Sequence, residues 1–428
     1  MNAQGDLRHV TVFDVDLPPG VAFIRSLGRA GVPVVACSAS PLAAGRYSSY
    51  VTSTRSCPSV HHSDRFISWL VEELGNGSID LIAPTSDVVS FCVAEALELL
   101  DGDGTLAGQP PADSIRTCLF KGRFTDAMSK FNFPTPPSRV PSTLAEAHAA
   151  AAEIGYPISL KPRSHVGVGT HRGIVVRKPD ELDRMYAPYE VGDAHAAALR
   201  HVPSLRMPMV QRYHELGTVD VISVSGCLDR RGSVLALGHS RKVSQAPRRF
   251  GVGTMFEPVG EQPFTAAAVE AVRNVLGSGL FELEVLVDKE TGEYWAIDLN
   301  PRGFGQMSLD IALGNDLPRI WYESVTENRL PVAPARYPRP ELWHEGVSTY
   351  VDFAVRFARG PRRAEIFAQA LGRVRTPKVG AAFEWRDPLP GLLFGLRHFR
   401  HPRSLVKSFL VDVELASSDG WHPPTPVP

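Results

Sequence analysis

FELEVLVDKETGEYWAIDLNPRGFG, residues Phe281 to Gly305, is the stretch whose reading decides the fold. Leu283, Val285 and Val287 alternate with Glu282, Glu284, Leu286 and Asp288, the two-residue period of a half-buried strand. Lys289 to Gly292 supply a turn. Trp295, Ile297 and Leu299 then alternate with Ala296, Asp298 and Asn300, so Asp298 and Asn300 are expected to leave the second strand in one direction. A register that sets Glu284 opposite them gathers two carboxylates and an amide oxygen around one point. Such oxygen-only donors suit Mg2+ rather than Zn2+. The plain alternative is an edge hairpin with a solvated acidic face. Pro301, Arg302 and Gly303 argue against it, because they end the strand directly after Asn300 and set a guanidinium beside the carboxylates, as a metal-bound polyphosphate requires.

A chain of 428 residues is too long for one ordinary core, so two or three domains are expected. The net charge of -1 gives no bulk electrostatic reason to expect nucleic acid or an anionic membrane as partner. Five scattered cysteines (Cys37, Cys57, Cys92, Cys118, Cys227) lack metal-ligand spacing and read as buried thiols of a reducing compartment. MNAQGDLRHV has no apolar signal-peptide core and no apolar run reaches about 18 residues, which predicts a cytoplasmic protein without a transmembrane segment.

Working toward the N-terminus, strands at Val10 to Val15, Gly31 to Cys37 and Ile79 to Ala83 alternate with helices, the pattern of an open parallel sheet. Its first turn lacks the glycine fingerprint of a dinucleotide site. Asp87 either faces a ligand at the strand ends or caps the next helix. Arg46 and Tyr47 read as loop residues in surface contact. Beyond Cys118, a helix from Phe120 to Phe131 carries Lys121, and a strand from Tyr156 to Leu160 delivers Lys161 to the glycine-rich SHVGVGT. Such a loop can cradle phosphate with backbone N–H groups while the ammonium adds charge, although no P-loop is present. Strands Met209 to Tyr213 and Val219 to Val224 offer hydrogen-bonding groups to a flat base and, at Asp220, an acceptor for ribose hydroxyls. HSRKVSQAPRRFGVGTM, with Arg241, Lys242, Arg248 and Arg249, reads as an anion site or movable cover, a purely solvated basic loop being the plain alternative. The tail shows a strand-like patch at Val347 to Phe353 and a basic amphipathic stretch at Arg362 to Leu371. A WRDPLP turn follows, with basic residues after it interleaved with leucines and phenylalanines. A small helical appendage packed on the catalytic core is the preferred reading of this region, over contact with a membrane surface or a partner. The Pro-rich His422 to Pro428 reads as disordered.

In this order the elements resemble an ATP-grasp ligase over roughly the first 330 residues. Within that superfamily, Ser40 to Tyr50 and the late ArgAspProLeuPro turn look similar to the predicted carboligases that include D-aspartate ligase. The resemblance implies an α/β protein with a parallel-sheet pre-ATP-grasp domain (1–118), a two-lobed α+β ATP-grasp domain (119–335) and a C-terminal appendage (336–428). It implies that Lys121 and Lys161 reach the phosphates of ATP, that Gly167 and Gly169 belong to the cover loop, and that Gln211 and Tyr213 flank adenine. Asp220 takes the ribose role. Glu284, Asp298 and Asn300 are the implied Mg2+ ligands, with Mn2+ as an alternative ion. Arg302, with Lys242 or Arg241, holds the transferred phosphate. The family departs at three positions: Gln211 and Asp298 are often glutamate, and the Arg212 position is often acidic. The implied reaction joins a small-molecule carboxylate, as in an amino acid or small peptide, to an amine through an acyl phosphate. A carboxylase, a kinase-like enzyme and a non-catalytic nucleotide-binding regulator are the alternatives, and a homo-oligomer is compatible with each.

Overall fold

The computed structural model describes residues 7–100, 108–164, 166, 173–189, 196–215, 217–247, 249–330, 341–359, 363–364, 367, 371 and 376–399. Four short strands, β1 (Val10–Val12), β2 (Val34–Cys37), β3 (Ser53–Arg55) and β4 (Leu81–Ala83), pair in parallel in the order β3-β2-β1-β4. Helices α1 (Pro18–Arg29), α2 (Ser63–Gly75) and α3 (Asp87–Leu99) cover it. Burial on both faces makes the inner strands continuously apolar, which is why they were legible. The polar edge strand β3 sent no such signal. Ser86, not Asp87, caps α3: its Oγ accepts from the Val89 N–H at 3.2 Å.

Helices α4 (Ala112–Leu119) and α5 (Lys121–Lys130) lead into a small lobe. It consists of β5 (Ser138–Arg139), α6 (Leu144–Ile154), β6 (Ile158–Lys161), β7 (Ile174–Val176), α7 (Pro179–Met185), α8 (Ala196–His201) and β8 (Met209–Arg212). Its sheet runs β5-β8-β6-β7. The large lobe contributes β9 (Val219–Leu228), β10 (Val234–Ala246), β11 (Val252–Pro258), α9 (Thr265–Leu276), β12 (Gly279–Asp288) and β13 (Tyr294–Asn300). After it come α10 (Met307–Ala312), α11 (Leu317–Thr326), β14 (Leu342–His344), α12 (Val347–Arg359), β15 (Lys378–Gly380) and α13 (Pro388–Phe399). Its sheet runs β13-β12-β9-β10-β11-β14-β15. One face of that sheet buries Ile222, Val224, Leu283, Val285 and Leu299 against Ala268, Val272 and Leu276 of α9. Strand alternation turns Ser223, Ser225, Glu282 and Glu284 to the other face. The first domain is welded on through α11: Trp321 meets Phe23 edge to face at 5.7 Å, and its Nε1 donates to Gly108 O at 3.1 Å.

Three sequence expectations are corrected. Val347 to Phe353 is helical, because its valines, Tyr350 and Phe353 fall on a helix whose Val355 side is buried and whose Tyr350 side is open. The 239–255 stretch is mostly strand, not loop: β10 runs on through Ala246 and pairs with β11. Its charges fit inside a strand because Arg241 pairs with Glu257 and Lys242 with Glu284. Finally, β14 and β15 extend the large-lobe sheet, so the region after residue 336 is partly built into that sheet. Its helices divide: α12 stays on the large-lobe sheet, Thr349 Oγ1 donating to Thr254 O at 2.9 Å, while α13 packs on the first domain, with Phe394 against Ala44. Arg46 donates to the carbonyls of Ser38 and Arg55, and Tyr47 to that of Pro41, both ordinary loop contacts. All five cysteines are free thiols. Most of 362–371 and all of 422–428 lie outside the described residues.

Asp387 is the anchor of that docking. Its Oδ2 accepts from Arg25 Nε at 2.9 Å and Ser48 Oγ at 2.7 Å, and its Oδ1 from the Ser49 N–H at 2.8 Å. Glu384 pairs with Arg29 beside it. The two stretches singled out by subgroup resemblance are therefore hydrogen-bond partners of one another. Burial alone would raise the Asp387 carboxyl, but the bonds from Ser49, Arg25 and Ser48 outweigh it and hold the group below its ordinary value. Asp387→Ala removes the nearest carboxylate of the buried Arg25, leaving it Glu384 at 3.7 Å, and is expected to lower stability by about 3 kcal/mol at neutral pH. A depressed folded pKa contributes stability above the unfolded value of 3.8 and loses it as pH falls through the folded one. Urea denaturation of wild type and variant should therefore show a deficit near neutrality that narrows in acid.

Candidate active site

Charges of both signs converge where the two lobes meet the first domain. Lys121 is the first residue of α5, and its Nζ lies 3.1 Å from Asp298 Oδ1. Lys242 on β10 donates to Glu284 Oε1 at 2.8 Å. Arg302, just past β13, donates from Nε to Asp87 Oδ1 at 2.7 Å and from Nη2 to Asn300 Oδ1 at 2.9 Å. Lys161 ends β6 and donates to Gln211 Oε1 at 2.7 Å. Desolvation, followed by the neighbouring Lys121 charge, depresses the Lys161 ammonium to about 8, while Asp298 and Glu284 oppose the shift. Burial works against the Arg302 guanidinium too, but Asp87 more than compensates and raises it.

The hairpin has the register that the sequence required: Glu284 faces Asp298, and Glu282 faces Asn300. The expected alternation along β13 fails at one point. A bulge in β13 leaves Ile297 without a partner, so that Glu284 pairs with Asp298 but Val285 with Ala296. Ala296 and Leu299, three residues apart, are both buried, while Trp295 and Ile297 are half-buried. The extra residue turns Asp298 and Asn300 onto the Glu284 face, as bulges beside functional sites do.

Two carboxylates of this face escaped the sequence reading. Glu282 is buried, accepting from Ser223 Oγ at 2.7 Å, from Asn300 Nδ2 at 3.0 Å and from Gln306 Nε2. Desolvation and then Glu284 raise its pKa. Asp310 lies beyond it, bound by Ser225 Oγ at 3.1 Å, and desolvation raises it to about 7. Gly238 makes room for that carboxylate, since a Cβ there would meet Asp310 Oδ1 at 1.9 Å. Glu282 was findable, because it shares the period of Glu284. Asp310 was not, because no local pattern marks it.

The remaining predicted residues separate. Arg241 and Lys242 are neighbours in one strand and point to opposite faces. Arg241 binds Glu257, and Asp220 at 3.5 Å, and Lys289 approaches Asp220 at 3.3 Å. By strand parity Asp220 shares the face of Ile222 in the α9 core, away from Glu284. Of the two alternatives for the transferred phosphate, Lys242 therefore faces the cluster and Arg241 does not, and Asp220 sits with Arg241 and Lys289 on the opposite face. Gln211 is buried with its oxygen on Lys161 and its amide nitrogen on Ser138 Oγ at 2.9 Å. Tyr213 follows at the lobe junction, its ring 6.0 Å from that of Phe250. Phe250, at the β10–β11 tip, also lies 5.4 Å from Lys161 Nζ and rests on Gly173, where a Cβ would come within 2.7 Å of its ring. The basic segment therefore does span the lobes, through an aromatic side chain. Gly167 and Gly169 lie outside the described residues, as does Arg248.

No group of three or more His, Cys, Asp or Glu side chains among the described residues is arranged as a metal cage. The predicted set is two carboxylates and an amide. It fits a hard cation that keeps water and phosphate among its ligands, not one held by protein alone.

The chain is similar in part of its sequence and in its fold to several known proteins. Residues 121–202 match the family described as carbamoyl-phosphate synthase L chain, ATP binding domain. The carbamoyl phosphate synthase large chain of Hyperthermus butylicus is 24% identical over 200 residues, 45% of this chain and 17% of that one. This chain thus spans only a small part of that relative. Among solved structures, biotin carboxylase from Campylobacter jejuni, in a β,γ-ATP complex, superposes with a TM-score of 0.58 at 19% identity, covering 76% of this chain and 72% of that one. The biotin carboxylase domain of Hydrogenobacter thermophilus 2-oxoglutarate carboxylase, with MgADP and bicarbonate, gives 0.58 at 18% identity over 76% and 70% of the two chains. The 121–202 segment is thus similar in sequence to a carbamoyl-phosphate synthase ATP-binding domain, and the fold is similar to that of the biotin carboxylases.

Proposed function

We propose that the protein is an ATP-dependent carboxylate–amine ligase of the carboligase type, joining amino acids or a small peptide through an acyl phosphate. The observation that carries this reading is the interleaving of Lys121, Lys161 and Lys242 with Glu284 and Asp298 at the lobe junction, and Arg302 at its edge. Carboxylate oxygen attacks the γ-phosphorus of ATP and the β–γ bridging P–O bond breaks, giving acyl phosphate and ADP. Amine nitrogen then attacks the carbonyl carbon, inorganic phosphate leaves, and the nitrogen loses its proton.

Each residue has a role in that sequence. Lys121 and Lys161 hold the phosphate chain; Lys242 and Arg302 hold the phosphoryl group in transfer. Glu284, Asp298 and Asn300 would hold Mg2+, which when bound neutralises charge on phosphate oxygens. With the Gln211 oxygen engaged by Lys161, base recognition falls to backbone groups after β8 and to Tyr213. Phe250 and the hairpin tip exclude water from a hydrolysable intermediate. The side chains act by position and charge, and none is needed as a covalent nucleophile.

A second reading, with bicarbonate as the activated carboxylate, is favoured by the bicarbonate held in the Hydrogenobacter relative. One experiment separates the two. Purified protein is given ATP, Mg2+ and a panel of amino acids and small peptides, with bicarbonate in a separate arm; ADP and product mass are followed. Ligation predicts ADP release that needs both a carboxylate and an amine and matches amide formed one to one. Bicarbonate-dependent ADP release without an amide assigns the second reading. ATP binding without turnover in every arm rejects both.

Two variants test the roles. Asp298→Ala is expected to lower kcat by about a hundredfold or more, with partial relief at high Mg2+ or with Mn2+; unchanged kcat removes Asp298 from the site. The Lys161 ammonium, at about 8 in the free protein, loses its proton as pH rises through that value. The ratio kcat/KM for ATP should therefore fall on an alkaline limb near 8, and in Lys161→Arg the limb should move up beyond the Lys range. A limb that stays put in the variant belongs to another group.

A further inference from the structure

We propose that Cys37 and Cys57 form a peroxide-sensitive dithiol, a modification site at which the two sulfurs join in a reversible disulfide. Strands β2 and β3 lie side by side in parallel, and their last residues, Cys37 and Arg55, are paired. The Ser38 N–H donates to Arg55 O at 3.2 Å, so the two chains stay together past the strand ends. Arg55 reaches Glu73 of α2 at 2.8 Å, on the side of the sheet where Cys37 packs with Phe66 and Leu70 of the same helix. Two residues on, the chain returns Cys57 to that side, and it packs against the same cluster. There the Cys37 thiol donates a hydrogen bond to the Cys57 sulfur. Cys37 is buried and Cys57 half-buried, so one sulfur of the pair is within reach of small solutes.

The surroundings give the two sulfurs different parts. The bond to Cys57, then burial, raise the Cys37 thiol above its ordinary range. The same bond lowers Cys57, with help from Arg46, against burial and the Asp14 carboxylate. Cys57 is therefore the nucleophile and Cys37 the resolving thiol. The Cys57 thiolate attacks a peroxide oxygen, the O–O bond breaks, and hydroxide leaves, taking up the proton that Cys57 released. The Cys37 sulfur then attacks the sulfenic sulfur of Cys57, the S–O bond breaks, and the hydroxyl leaves as water with the Cys37 proton. Both sulfurs are oxidised and one hydrogen peroxide is reduced to water. A metal ion is the competing occupant of two thiols. Among the described residues, however, no third His, Cys, Asp or Glu is arranged with them as a metal cage, and two sulfurs are too few for a zinc site. The pair lies at the carboxyl edge of the first-domain sheet and takes no part in the proposed ligase chemistry, so the assignment stands apart from that reading. Cys92, Cys118 and Cys227 are buried and raised by desolvation, which makes them internal references.

The test is mass spectrometry of the reduced full-length protein after hydrogen peroxide treatment and alkylation with iodoacetamide. Wild type is expected to lose the mass of two hydrogens and to yield one crosslinked peptide pair, Cys37 with Cys57, that dithiothreitol separates. Cys92, Cys118 and Cys227 should remain alkylatable throughout. In Cys37→Ser the disulfide should be absent, and dimedone should trap the sulfenic acid on Cys57. Cys57→Ser should consume peroxide about tenfold or more slowly than wild type. Peroxide treatment that spares both cysteines, or that oxidises the three buried ones equally fast, overturns the proposal. So does a disulfide that joins two chains, or a dimedone adduct on Cys37 in Cys57→Ser as abundant as that on Cys57 in Cys37→Ser. The wild-type measurement needs no variant, so a misfolded substitution does not decide the outcome.

Discussion

Mutual neutralisation of buried charge at the lobe junction is the constraint on which the rest of the structure depends. Ions drawn out of water must be paired, because an unpaired one forfeits its hydration with nothing in return. Lys121–Asp298 ties α5 to β13, Lys242–Glu284 ties β10 to β12, and Arg302–Asp87 ties the end of β13 to the first domain. Each pair joins elements distant in sequence. The same groups that would handle a triphosphate therefore also hold the elements around it in register, and the site is arranged before any ligand arrives.

The scaffold places these groups by simple means. The two faces of the large-lobe sheet divide the work: one buries apolar side chains on α9, the other gathers the acids. The bulge in β13 permits both at once, burying Ala296 and Leu299 on one side while Asp298 and Asn300 face Glu284 on the other. Beneath these largely covered pairs, Glu282 is locked by Ser223, Asn300 and Gln306, which fixes the orientation of Asn300. Asn300 in turn presents its oxygen to Arg302, so a single chain of polar contacts runs from the sheet interior to the first domain. The first domain is thus not a passive appendage. Asp87, at the carboxyl end of β4, completes the charge balance of Arg302, and the Gly303 N–H is bound by Pro84 O at 2.7 Å.

How much of this was legible follows from how each signal is encoded. The central hairpin and the parallel sheet were readable because period-two alternation and continuous apolar runs are local properties. Lys121, Lys161, Lys242, Glu284, Asp298, Asn300 and Arg302 followed from that reading and from family resemblance. Bulges are not local in this sense: one extra residue is visible only against its partner strand. The continuation of β10 past Gly238 was not read as strand because Arg241 and Lys242 look unsuited to a sheet until their carboxylates, tens of residues away for Lys242, are known. Val347 to Phe353 misled in the other direction, its β-branched and aromatic residues suggesting a strand where packing makes a helix. The choice between Lys242 and Arg241 stayed open, because order does not reveal which face of a strand a residue occupies. The docking of Asp387 joins positions more than 300 residues apart and could be seen only as two resemblances without a physical link.

A site that neutralises itself also discriminates. Asp298 and Glu284, each already paired with a lysine, offer a stray divalent cation little that the ammonium groups do not already provide. Lys121 and Lys242 likewise offer a stray anion little beyond their existing carboxylates. A ligand that brings only one sign of charge must break a pair and leave its other member stranded in a partly desolvated pocket. A ligand that brings both signs together replaces every broken pair with a new one, lysine to phosphate and carboxylate to metal. Lys161 stands outside this exchange, because its partner is the neutral amide of Gln211 and its charge is already weakened by burial. Of the three lysines, it is the one whose ammonium gains most when an anion arrives, since it has no carboxylate to surrender. The neutral partner at position 211 therefore concentrates the attraction for an anion on a single side chain, at the end of β6 where the small lobe meets the cluster.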